Sequence, residues 1–146
     1  MRVSLIAVAL LLAACQKAPA NTPEGAFRAF NDALRRQDAK TAFSLLSEKS
    51  QALLTERSKA LASGSKGAIR DEPALLTFLT PRRANPLVSI SVASASEASA
   101  LIEVKTCARP LDAAGTCPAG ADVQERVAMV KEVQRWAVEL PELVKP

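Results

Sequence analysis

Two periods of apolar spacing divide the chain. From Thr22 to Leu79 apolar residues recur at helical spacing, and after Pro86 they alternate at every second position. Thr22 reads as a helix N-cap, with Pro23 at the first helical position and Glu24 in the first turn. Phe27, Phe30, Ala33 and Leu34 follow as an amphipathic stripe, and Arg35 and Arg36 near its end suit the helix dipole. Asp38 predicts the cap of a short second helix with Ala42, Phe43 and Leu46 facing inward. Ser47 opens a third, from Glu48 to about Leu61, with Leu53, Leu54, Arg57 and Leu61 on one side. A break follows at Ser63-Gly64-Ser65-Lys66-Gly67. Asp71, Glu72 and Pro73 then start a fourth helix with Leu75, Leu76, Phe78 and Leu79 as its apolar content, ended by Pro81.

The strand half is as regular. Val88, Ile90 and Val92 alternate with Ser89, Ser91 and Ala93, and Ala100, Ile102 and Val104 alternate with Leu101, Glu103 and Lys105. Ser94 to Ser99 is expected to turn between them. Val123, Glu125, Val127 and Met129 form one parity of a third strand, and Trp136, Val138 and Leu140 one parity of a fourth, with a tight turn at Glu132 to Gln134. Half-buried antiparallel strands produce this alternation. Helices first and alternating strands afterwards predict an α+β fold, its N-terminal helices packed on one face of a curved antiparallel sheet of about four strands.

The extreme N-terminus follows neither pattern. Arg2 is the only charge before Lys17, and every residue from Val3 to Leu12 except Ser4 is apolar. This has the layout of a secretory signal and is shorter than the roughly 20 apolar residues of a membrane span. Leu12-Ala13-Ala14-Cys15 closes it and looks like a bacterial lipobox. The expectation is a signal peptide at residues 1–14, a lipidated tether at 15–21 beginning with Cys15 as lipid attachment site, and one domain over 22–146. Gln16 after the cysteine resembles an outer-membrane address, so the expected location is the bacterial envelope, on the periplasmic face of the outer membrane.

Composition then narrows the chemistry. There are 19 basic and 15 acidic residues, and without Arg2 the balance is 18 to 15, or +3. The charges are interspersed, and Arg35-Arg36 and Arg82-Arg83 are pairs rather than patches, so no nucleic-acid partner is indicated; the pairs read as solvated loop and helix-end residues, with contact to anionic lipid headgroups as the alternative. The chain has no His, which removes the usual acid-base group near neutral pH and the commonest metal ligand. No cofactor motif, metal site or catalytic set is read from it. With Cys15 assigned to lipid, Cys107 and Cys117 remain as an even pair in an exported protein, which reads as a disulfide.

The segments Thr22-Pro23-Glu24-Gly25-Ala26-Phe27-Arg28-Ala29-Phe30, Gln37-Asp38-Ala39 and Ala42-Phe43-Ser44-Leu45-Leu46-Ser47 together resemble the opening of nuclear transport factor 2-like (SnoaL-like) domains. Val127 to Glu132 followed by Arg135 to Pro141 resembles their last hairpin, with Val133-Gln134 where the family usually has Asp-Gly. The resemblance implies a cone of curved sheet, helices closing one side and a pocket at the open end. Family isomerases use a Tyr and a protonated Asp beside an Asp base. This chain has no Tyr, so that set does not carry over.

Phe27, Phe30, Phe43, Phe78 and Trp136 are the candidates to line such a pocket, or else to form the core beneath it. Glu103 and Glu125 are the strand carboxylates to watch, Glu125 on the parity of Val123 and Val127. Leu101 and Val130 break the otherwise polar parity of their strands and mark a candidate interaction patch. The leading expectation is a non-enzymatic envelope protein, joined to the membrane by its lipid anchor, that binds a small apolar ligand or an envelope protein. The alternatives are a cyclase- or isomerase-type enzyme with a lone carboxylate, and an accessory subunit of an envelope complex; a homodimer through the sheet is left open.

Overall fold

The computed structural model describes residues 21–63 and 71–140, so the lipobox, Cys15 and the Gly64–Gly67 part of the expected break lie outside the described residues. Four helices, α1 (Pro23–Arg35), α2 (Ala39–Ser44), α3 (Glu48–Ala62) and α4 (Glu72–Leu79), precede four strands, β1 (Leu87–Ala95), β2 (Ser99–Cys107), β3 (Asp122–Glu132) and β4 (Arg135–Glu139). Each helix begins where a side chain caps it. Thr22, Asp38, Ser47 and Asp71 accept from the backbone N–H of Gly25, Thr41, Ser50 and Ala74 at 3.1, 3.0, 3.1 and 2.9 Å. The strands form an antiparallel meander in the order β1-β2-β3-β4, and helices and sheet share one core, so the fold is α+β.

The α1 stripe is buried as the spacing predicts: Phe27, Phe30 and Ala33 are fully buried and Leu34 nearly so. They pack against Ile102, Val104, Val127 and Met129 on one face of the sheet. The rings of Phe27 and Phe30 lie 6.1 Å apart. Register confirms that one parity faces inward, since Ile90 opposes Val104, Ile102 opposes Val127 and Met129 opposes Val138.

Two helices are rotated from the expected phase. In α3 the buried positions are Ser50, Leu54 and Ser58, while Leu61 is 40% exposed. The cause is a polar contact with the end of the sheet: Ser50 Oγ accepts from the N–H of buried Leu140 at 3.0 Å and from the Ser47 hydroxyl at 3.0 Å. Ser50→Ala leaves that buried N–H unpaired and is expected to cost about 1–3 kcal/mol in a denaturant titration. In α4, Leu75 and Leu76 point inward and Phe78 is 71% exposed. At about 100° per residue Phe78 falls roughly 110° from the centre of the Leu75/Leu76 face.

Past α4 the chain does not simply stop at Pro81 but makes a 3-10 turn, Pro81–Ala84. The two outer strands then end differently. β4 is covered by the α2–α3 connection, because Ser47 N–H donates to Val138 O at 2.9 Å and Val138 N–H to Leu45 O at 3.1 Å. β1 carries no charged residue, and its register shifts between Leu87 and Ser89 and again between Val92 and Ser94. Bulges of this kind bend an edge strand and interrupt it as a template for further pairing. Cys107, fully buried at the end of β2, is bonded to Cys117 and staples the β2–β3 connection. At the β3–β4 turn Val133 adopts φ +51°, a left-handed conformation that β-branched residues rarely enter, and is 96% exposed. Among the described residues no helix is long and apolar enough to cross a membrane.

Candidate functional site

The two faces of the sheet offer different chemistry. On the inner face, Glu125 opposes Val104 across the β2–β3 ladder and so points toward the helices, as its parity predicts. It meets Arg83, whose Nε lies 3.5 Å from Glu125 Oε2; the two side chains are 8% and 27% exposed. The 3-10 turn that carries Arg83 is held by α1. Asn31, buried on the apolar stripe, donates from Nδ2 to the carbonyls of Arg83 and of Asn85, the latter at 3.0 Å. Arg82, Arg83, Glu125, Leu79, Thr80 and Pro81 line an open depression of about 370 Å³.

Asn31 carries no expectation from the sequence, and Arg83 enters there only in the Arg82-Arg83 pair of solvated residues; the structure corrects this, with Arg82 exposed and Arg83 buried. The signal for Asn31 is its place four residues after Phe27, a polar residue at core spacing. Arg83 had none, because its burial depends on Asn31 holding the turn. Glu125→Gln removes the charge opposite a nearly buried guanidinium and should destabilise by about 2 kcal/mol, less than for a fully buried pair because Glu125 still reaches water. The double change Arg83→Met/Glu125→Gln should recover most of that loss in thermal melts. A double variant that is weaker than Glu125→Gln alone would show that the pair stabilises the fold outright.

Among the described residues no helix packs on the outer face. Its polar end is ionic: Glu103 opposes Arg126 and accepts from Arg126 Nη2 at 3.0 Å, and Lys105 Nζ lies 3.1 Å from Asp122 Oδ2. Glu103, the other candidate carboxylate, therefore sits outside, away from the helices. Its other end is apolar. Leu101 opposes Ala128, Val130 opposes Ala137, and Leu101, Ala128 and Val130 are only half-buried. With Ser94, Ser99 and Glu139 they line a shallow depression of about 420 Å³. Glu139 at its rim pairs with Lys49 of α3 at 3.2 Å.

The aromatic candidates lie elsewhere. Phe27, Phe30 and Trp136 belong to the buried core, Phe43 packs half-buried against it, and Phe78 is exposed. None of them lines either depression. Among the described residues no group of three or more His, Cys, Asp or Glu is placed to hold a metal ion.

Two exposed carboxylates respond to their neighbours. The Lys105 ammonium beside Asp122 holds its carboxyl below the usual range, and the Thr41 hydroxyl and N–H do the same for the capping Asp38. A carboxylate with a lowered native pKa contributes stability that is present above its unfolded value, near 3.8, and lost as pH falls through the lowered one. Stability should therefore decline below about pH 4, and Asp38→Asn with Asp122→Asn should flatten that decline in acid titrations monitored by circular dichroism.

No protein-family model matches the chain, and no curated protein matches it. Among solved structures the chain is similar to one from Campylobacter jejuni described as a proposed nuclear transport factor 2-like transpeptidase, at 17% identity and a TM-score of 0.47, over 82% of this chain and 98% of that one.

Proposed function

We propose that this chain is a lipid-anchored protein of the bacterial envelope that docks a protein partner on the outer face of its sheet and carries out no chemistry of its own. The lipobox at Leu12 to Cys15 supports the anchor, and Gln16 supports the outer membrane as its address. The Cys107–Cys117 bond fits an oxidising compartment. The interior is occupied by side chains: Phe27, Phe30, Leu54, Leu76, Ile102 and Met129 are all fully buried. The observation that carries the reading is that apolar surface opens outward, at Leu101, Ala128 and Val130, instead of into a cone.

An acyl-transfer reading, suggested by the description of the Campylobacter jejuni structure, needs an activated nucleophile. The chain has no histidine, and both described cysteines are tied to each other. A lone-carboxylate enzyme would rest on Glu125, which is engaged by Arg83 in an open depression.

A photo-crosslinking residue at Val130 of the full-length protein, activated in cells, tests the docking face. The expected result is one discrete adduct, lost with Leu101→Asp and absent when the crosslinker is at exposed Arg82. An adduct of twice the chain mass would identify the partner as a second copy. No adduct at Val130, or equal labelling from Arg82, would overturn the reading.

A second reading has one observation in its favour. The depression at Arg82, Arg83 and Glu125 joins a nearly buried cation to an open concavity, which suits a polar small ligand rather than an apolar one. Native mass of the protein isolated from membranes should then show a bound small molecule that Glu125→Gln releases.

A further inference from the structure

We infer that the solvent face of α1 rests on anionic phospholipid headgroups, so that the helix layer faces the membrane and the outer sheet face points away from it. The inference rests on the lipid anchor proposed above.

Two observations carry it. The first is reach. Cys15 and Thr22 are seven residues apart in the sequence, and whatever their conformation such a segment spans at most roughly 25 Å. The domain begins with α1, whose 13 residues measure roughly 20 Å. An anchored protein thus keeps the start of α1 within about 25 Å of the bilayer and its end within about 45 Å. The second is charge. The face of α1 opposite its buried stripe exposes Arg28, Ala29, Asp32, Arg35 and, just past the helix, Arg36, and Lys40 follows at the start of α2. Among the described residues Arg28, Arg35, Arg36 and Lys40 have no carboxylate within ion-pair distance, although Arg36 and Lys40 lie near enough to Asp38 to help hold its carboxyl ionised. The acidic groups nearby are Glu24 in the first turn, Asp32, and Asp38, which is engaged in capping α2. Basic residues outnumber the acidic ones even so, and the negative surface potential of an anionic leaflet attracts such a face over about a Debye length. Asp32, Arg35 and Arg36 line a shallow depression of about 250 Å³ in which a phosphate-bearing headgroup has two guanidinium neighbours.

The geometry has a consequence for docking. α1 packs on the inner face of the sheet, through Phe27 and Phe30, so its solvent face and the Leu101–Val130 strip lie on opposite sides of the molecule. A headgroup-bound α1 leaves that strip directed into the aqueous space.

The test uses full-length protein purified from membranes and reconstituted in phosphatidylcholine vesicles with or without phosphatidylglycerol. A fluorophore is attached at Ala29→Cys, on the α1 face, or at Ser91→Cys, on the outer sheet face, and a lipid-borne quencher reads its distance from the bilayer. The expected result is strong quenching at Ala29 and weak quenching at Ser91, only with phosphatidylglycerol. Each basic residue replaced in the series R28Q, R35Q, R36Q and K40Q should weaken adsorption roughly fivefold. Equal quenching at the two positions, or a difference that persists in neutral vesicles, would overturn the inference. The intact mass of the same sample separates the two claims. Acylated protein without the Ala29 preference sinks the orientation and leaves the anchor. Unacylated protein that still adsorbs through Ala29 sinks the anchor and leaves the face. Unacylated protein that does not adsorb sinks both.

Discussion

Phe30→Ala should lower stability by about 3–5 kcal/mol, the range for emptying a large aromatic site in a packed core. Phe30 is fully buried, and its ring lies against Phe27 between α1 and the sheet. Domains of this size are stable by only about 5–15 kcal/mol, so the variant is expected to melt at least 10 °C lower. Phe78→Ala, at a position 71% exposed, should stay within about 0.5 kcal/mol of the parent. The contrast discriminates between two roles for the aromatics. Side chains lining an open pocket tolerate truncation, whereas side chains filling the interior do not. Thermal melts of both variants are sufficient, and a Phe30→Ala protein as stable as the parent would refute a filled interior.

Cys107→Ala, or reduction of the parent, should cost about 3 kcal/mol on the chain-entropy description of a loop of this length. Cys107 and Cys117 are separated by 10 positions, and the bond closes the long connection between β2 and β3. Within that loop Asp112 already organises the turn, accepting from the N–H groups of Ala114 and Thr116 at 3.0 and 2.7 Å. The loop tip should therefore keep its local shape on reduction while its attachment to the sheet loosens. Hydrogen exchange is expected to rise first at the Cys107 end of β2 and the Asp122 end of β3. Unchanged melting with and without reductant would contradict this.

What was legible in the sequence was whatever is local. The caps at Thr22, Asp38, Ser47 and Asp71 act within one helical turn, and all are present. The alternation of Ile102 and Val104 with Leu101 and Glu103 reports a sheet with one covered face, and the register bears it out. Glu125 pointed inward for the same reason. What stayed hidden depends on contacts between distant segments. The Arg83 turn exists because Asn31, more than fifty positions earlier, holds its carbonyls. α3 is rotated because Ser50 reaches the N–H of Leu140, ninety positions later. Phe78 was expected to be apolar content of α4, but its two leucine neighbours fix which way that short helix faces. The outer depression was half legible: Leu101 and Val130 stood out by parity, yet only the ladder shows that Ala128 and Ala137 lie between and beside them.

The measurement that bears most directly on the envelope assignment is the intact mass of the protein extracted from membranes, with and without reduction, beside a Cys15→Ala control. The expected result is a mass of residues 15–146 plus acyl chains, a gain of about two hydrogens on reduction from opening the Cys107–Cys117 disulfide, and loss of the acyl mass in the control. An unprocessed chain that carries no lipid would contradict it, and the proposed membrane address would fall with it.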